Sequence, residues 1–99
     1  MNKLYTIVRK DLKGHGQRAV QAAHSVAEYL LKNPNTTWDN GTIVLLTIWD
    51  EESLVDFGEL LTSKGINFEM FREPDLDNQF TALTAESDFR VPFCGLKLL

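Results

Sequence analysis

Residues 42–48, Thr-Ile-Val-Leu-Leu-Thr-Ile, limit the folds open to this chain more than any other segment. The run is apolar and β-branched without alternation, which predicts a central strand covered on both faces. Such a strand needs a layer above it and a layer below it. The chain has 99 residues, enough for one such domain and not for two.

The flanking segments supply the layers. Residues 4–9 are β-branched and aromatic and predict a first strand. Residues 10–16 form a polar loop containing Gly14 and Gly16. A helix is expected over residues 17–32: Ala19, Ala22, Ala23 and Ala27 favour it, and Val20, Ala23, Ala27 and Leu30 recur at helical spacing. Asn33-Pro34 stops it. After the central run, Asp50 is a candidate N-cap, with Glu51 and Glu52 complementing the helix dipole. Leu54, Phe57 and Leu61, with Val55 and Leu60, give this second helix its apolar face, and Lys64-Gly65 ends it. Residues 66–72 read as a third strand, 73–78 as a turn-rich loop and 80–85 as a fourth strand. Val91, Phe93 and Leu96 suggest a tail packed back on the domain. The order β-α-β-α-β-β predicts an α/β fold: a single three-layer domain with a mixed four-stranded sheet and helices on both faces. Parallel pairing is expected within two βαβ units, and an antiparallel fourth strand. Ligands of such sheets bind beyond the carboxyl ends of the parallel strands, where loops 10–16 and 73–79 should meet.

Charge narrows the function. The net charge is −4, yet residues 1–32 carry six bases against two acids. An acidic chain is not a general nucleic-acid binder, but its basic N-terminal third can receive a few phosphates. No apolar run approaches the ~20 residues of a membrane span, and the N-terminus lacks a signal-peptide pattern. The single cysteine, Cys94, allows no internal disulfide and no cysteine-based zinc site. A cytoplasmic setting is therefore expected. Beside Phe93 in the apolar tail, Cys94 is a poor nucleophile.

The chemistry concentrates around the first helix. Gln17, Gln21, His24 and Glu28 fall at steps of four, three and four, so they share one stripe, with the alanine and valine positions opposite. The stripe is either a solvated face or the lip of a site. Gly14 and Gly16 bracket the helix start, where backbone amides can hold an anion, and Lys13 and Arg18 add charged donors. His24 is a candidate for proton transfer, with His15 a second; both are equally readable as surface residues. Asp75 and Asp77 can orient an imidazole or activate water, or simply serve their turn, and Asn78 and Gln79 add amides. His24 and Glu28 lack a third ligand, so no metal site is expected. Trp38 either packs or stacks a base.

The series Arg9-Lys-Asp-Leu-Lys followed by Gly14-His-Gly-Gln-Arg-Ala-Val-Gln-Ala-Ala-His24 resembles the signature of type 2 peptidyl-tRNA hydrolases. Gly14, Gly16, Ala19, Gln21, Ala23 and His24 match its glycine-rich stretch and its Ala-Ala-Gln-x-x-His helix. The element order resembles the family fold over most of the chain. The resemblance implies hydrolysis of the ester joining a peptide to the 3′ end of tRNA, with no metal and no cofactor. It makes His24 the proton-transfer residue and the glycines the loop that receives the terminal nucleotide or a phosphate. Two positions depart. Gln17 stands where the family has its active-site lysine, and an amide supplies no fixed charge to an oxyanion. In the segment before the last strand only Gln79 is in register, leaving Asp75 or Asp77 to replace the acid.

Two main expectations follow. In the first, His24 and an acid of the 75–77 loop hydrolyse peptidyl- or aminoacyl-tRNA, with Lys13 and Arg18 on phosphate. In the second, the same fold binds a tRNA end or nucleotide-like ligand without turnover. The partner is then the tRNA 3′ end, with no membrane, and a homodimer is compatible with either. A protein–protein module using residues 89–93 is a third reading.

Overall fold

Strand β1, Lys3–Arg9, is buried from Leu4 to Arg9 and runs through the middle of the sheet. The computed structural model describes residues 2–99. After β1 come α1 (His15–Lys32), β2 (Ile43–Ile48), α2 (Glu51–Ser63), β3 (Asn67–Glu73), β4 (Gln79–Ser87) and β5 (Lys97–Leu98). Single 3-10 turns lie at Pro74–Leu76 and Phe93–Gly95. The result is the expected single α/β domain, with two helices and a mixed sheet.

The sheet has five strands, in the order β3-β4-β1-β2-β5, where four were expected. The fifth is a two-residue segment of the tail, pairing antiparallel with β2 through Leu46–Leu98 and Thr47–Lys97. Two residues carry no periodicity, so pattern could not announce it. Only one of the two expected parallel pairings forms, between β1 and β2. The chain leaving α2 crosses to the far edge, where β3 pairs antiparallel with β4 alone. Because β4 is also antiparallel to β1, β3 points the same way as β1 and β2. The loops after β1 and β3 therefore reach the same edge of the sheet.

The two sheet faces differ chemically. Tyr5, Ile7, Leu46, Ile48, Leu83 and Ala85 face Leu54 and Leu61 of α2 and Phe93 of the tail, forming the main apolar core. Asp50 caps α2 as its sequence suggests, accepting the Ser53 N–H at 2.9 Å. The other face carries Val8 and Ala82 together with hydroxyls: Thr6 and Thr84 bond each other at 2.9 Å, and Ser25 of α1 bonds Thr84 at 2.8 Å.

That face explains two corrections. The inward residues of α1 are Gln21, Ala22, Ser25 and Tyr29, whereas Val20 is 48% and Leu31 78% exposed, with Ala19, Ala23 and Ala27 outside as well. The helix thus docks largely through polar side chains, because the sheet beneath it offers partners for them, and turns Ala19, Val20, Ala23 and Ala27 outward. Moreover, α1 lies over β1, β3 and β4, so β2 is not covered on both faces: Ile43 is 41% and Leu45 37% exposed. No described helix is long and apolar enough to cross a membrane.

Candidate functional site

The loops after β1 and β3 meet at the start of α1. Gly14 is the residue before the first helical turn, with φ of 82°, a conformation that favours glycine. A glycine cap offers no side-chain acceptor, and the first turn holds no acid. The opening amides of the helix are therefore left for an anion, with the helix dipole behind them. Lys13, Gly14, His15 and Gly16 are all exposed there, and Gln17 is half-buried. Arg18 is turned back on the loop, its Nε donating to the Leu12 carbonyl at 3.1 Å. Leu12 is buried against Val8, Ala22, Ala82 and Leu76, which pins the first loop to the second.

Two polar links close the junction. Arg9 donates two bonds to Asp11, at 3.0 and 2.9 Å, and a third to Gln79 Oε1 at 2.9 Å. Gln21 is fully buried: its amide nitrogen donates to Glu73 Oε1 at 2.7 Å, and its oxygen accepts from the Thr81 hydroxyl at 2.6 Å. Thr81 reaches Gln21 through a bulge. The β3–β4 register steps from Phe71–Ala82 to Arg72–Phe80, which leaves Thr81 as the extra residue. Bulges re-aim a side chain in this way, often beside functional sites.

Sequence reasoning missed Glu73, reading it as the start of a turn. It is the last residue of β3, buried, with Gln21 on one oxygen and the backbone N–H of Asp75 at 3.5 Å from the other. The available signal was the spacing of Glu69, Phe71 and Glu73 along the strand. These meet α1 in turn: Lys32, held by Glu28 at 3.0 Å, reaches Glu69; His24 stacks on Phe71, ring centres 5.0 Å apart and 3° from parallel; Gln21 takes Glu73. The stripe of Gln21, His24 and Glu28 therefore follows an edge strand, with Gln21 buried, Glu28 half-buried and His24 exposed.

The remaining sequence candidates divide. Gln79 is joined to the site through Arg9. Asp75 lies in the 3-10 turn, and Asp77 and Asn78 adopt left-handed backbone with φ of 55° and 57°. The Asn78 N–H and C=O bond Glu73 and Arg72 respectively. Among the described residues no hydrogen bond joins His24 to Asp75 or Asp77. Trp38 bonds the Thr42 carbonyl through its indole N–H at 3.1 Å and so ties down its loop. Trp49 is exposed beyond β2, with the Lys10 ammonium 3.5 Å above its ring. Cys94 is exposed, not desolvated in the tail. Phe89 and Val91 are exposed while Phe93 is buried.

A cleft of about 770 Å³ lies at the opposite end of the sheet, beside Tyr29, Asn33, Thr36, Asn67 and Glu86. Its polar groups satisfy one another: Glu86 accepts from Tyr29, Thr36 and Asn2, and Asn67 donates to Tyr29 and Asn33. The loop junction instead leaves the opening amides of α1 and the exposed Lys13 at an open edge, with the exposed Asp75 in the neighbouring loop.

No family model matches the chain, and no curated protein matches it. Among solved structures, a protein of unknown function from Agrobacterium tumefaciens is similar in fold. It aligns with a TM-score of 0.70 at 16% identity, over 99% of this chain and 97% of that one.

Proposed function

We propose that this chain hydrolyses the ester that links a peptidyl or aminoacyl group to the 3′ end of tRNA. The observation that carries the reading is the junction of the two loops. Uncapped helix amides and Lys13 stand on one side, and Glu73 stands on the other, bonded to Gln21 of the same helix. The resemblance of Gly14, Gly16, Ala19, Gln21, Ala23 and His24 to type 2 peptidyl-tRNA hydrolases supports it. So does the location, since open α/β sheets bind ligands at the carboxyl ends of their strands.

In this reading Lys13 and the amides of His15 and Gly16 hold a phosphate of the acceptor end. Gln17 donates a neutral hydrogen bond toward the carbonyl oxygen. A water attacks the ester carbonyl and His24 takes its proton; the bond from the carbonyl carbon to the ribose oxygen breaks, and the proton passes to that departing oxygen, giving the free hydroxyl and the carboxylic acid. Asp75, Asp77, Asn78 and Gln79 form the facing wall. A cytoplasmic location goes with such a substrate.

A second reading, a tRNA-end or nucleotide-binding module without turnover, is favoured by one observation. His24 lies flat on Phe71 with no acid bonded to it, and Gln17 brings no charge. One assay separates the two. Purified protein incubated with peptidyl-tRNA should release peptide; His24→Ala should slow release about a hundredfold, and Gln17→Lys should raise it. Saturable tRNA binding without release would favour the module. Full activity in His24→Ala would remove His24 from the chemistry.

A further inference from the structure

The α2 side of the sheet holds a second cavity at the other end of β1. Lys3 lies on its rim, six residues or about 20 Å of strand from Arg9. The volume is about 360 Å³, at the small end of the range for small-molecule sites. Its walls are apolar: Val44, Leu46, Phe93 and Leu96 from β2 and the tail. Three polar groups interrupt them, Tyr5, Lys3 and Arg90.

Tyr5 is the anomaly. Its side chain is 2% exposed and its ring lies flat on Phe93, with centres 4.0 Å apart. Its hydroxyl is the one buried side-chain polar atom among the described residues without a hydrogen-bond partner. Buried polar groups are nearly always paired, so an orphan at a cavity wall calls for a partner that the chain does not supply. Arg90 lies close enough for its charge to act on the Tyr5 phenol, opposing the upward push of burial on that group. Neither Arg90 nor Lys3 forms an ion pair among the described residues. In a chain of net charge −4, two unmatched cations beside an unpaired donor form a local anion-attracting spot.

We infer that this cavity binds a small organic carboxylate with an apolar body. The carboxylate takes the Tyr5 hydroxyl and Arg90, with Lys3 adding long-range attraction. The body lies against Leu46, Leu96 and Phe93. An acyl or aryl group fits these walls, whereas inorganic phosphate would leave them unfilled.

The test is an NMR titration of the full chain with phenylacetate and with octanoate. Phenylethanol and phenylethylamine serve as neutral and cationic counterparts. At least one carboxylate should bind saturably and shift the Tyr5 and Phe93 ring signals, with the neutral and cationic compounds at least about tenfold weaker. Arg90→Ala should weaken carboxylate binding about tenfold. Tyr5→Phe should weaken binding while leaving the free protein as stable or more stable, because it removes an unpaired buried hydroxyl. That combination distinguishes a lost ligand contact from a folding defect. The inference is overturned if neither carboxylate binds saturably in the millimolar range, if all head groups bind alike, or if Arg90→Ala binds as well as the parent.

Discussion

Gln21 shows how one residue can serve both structure and site. Its amide holds Glu73 with one end and Thr81 with the other, so a single side chain ties the end of β3 and the bulge of β4 to α1. Replacing it by leucine keeps the volume roughly but leaves one oxygen of the buried Glu73 and the buried Thr81 hydroxyl without their partner. Gln21→Leu should lower unfolding stability by about 2–4 kcal/mol in urea, and adding Thr81→Val should recover part of the loss. Tyr29 gives a pH signature. Burial, and next the hydrogen bond to Glu86, push its phenol above the ordinary value, and burial pushes Tyr5 the same way. The folded chain thus holds these protons more tightly than the unfolded chain. The associated stability is complete below pH about 10 and is lost as pH rises through the folded-state values. Tyr29→Phe should flatten that alkaline branch, read from urea midpoints measured between pH about 8 and 11. Glu73 was masked in the sequence because Glu-Pro reads as a turn; the two-residue spacing of Glu69, Phe71 and Glu73 was visible, but the end of the strand and the seating of α1 give that spacing its meaning.

At the level of elements, the sequence carried the order of helices and strands well but not the rotation of α1. Alanine is nearly indifferent to burial, so a helix with Ala19, Ala23 and Ala27 on one side and Gln21 and Ser25 on the other can be seated either way. The hydroxyls of Thr6, Thr81 and Thr84 decide it, and they lie more than 40 residues away in the chain or on the preceding strand. The seating is measurable. Ser25→Leu should cost about 1–3 kcal/mol by overpacking a hydrogen-bonded site, while Leu31→Gln should stay within about 0.5 kcal/mol. The opposite rotation predicts the reverse order. For α2 the sequence was sufficient, since Asp50, its acidic first turn and Gly65 are local signals. The Ser53 N–H holds the Asp50 carboxyl below the usual carboxylate range. Its contribution is therefore present above the unfolded-state pKa and fades as pH falls through the folded one. Asp50→Ala should lower the urea midpoint at neutral pH, and the gap from the parent should narrow in acid.

For the whole molecule, the layered α/β architecture was legible from the alternation of strand and helix patterns along the chain, although residues 42–48 form a strand covered on one face only and α1 seats its polar side inward. The fifth strand and the far-edge position of β3 were not, because strand order is set by which edges remain free, not by any local pattern. The tail is more than a trailing end: Phe93 is buried, stacked on Tyr5 and packed against Phe57. Phe93→Ala should cost about 3–5 kcal/mol in urea unfolding. The pairing of β1 with β4 has a consequence for the order of assembly. Lys3 lies opposite Ser87, so the strand made first receives one of its two neighbours only after almost the whole chain exists. Closing so long a loop is entropically costly and slow, whereas β3 and β4 are separated by a five-residue turn and can zip early. During synthesis β1 and β2 therefore wait with a bare edge until residues 79–87 emerge. A stall before that point exposes a β-branched strand to other nascent chains and makes aggregation the competing fate.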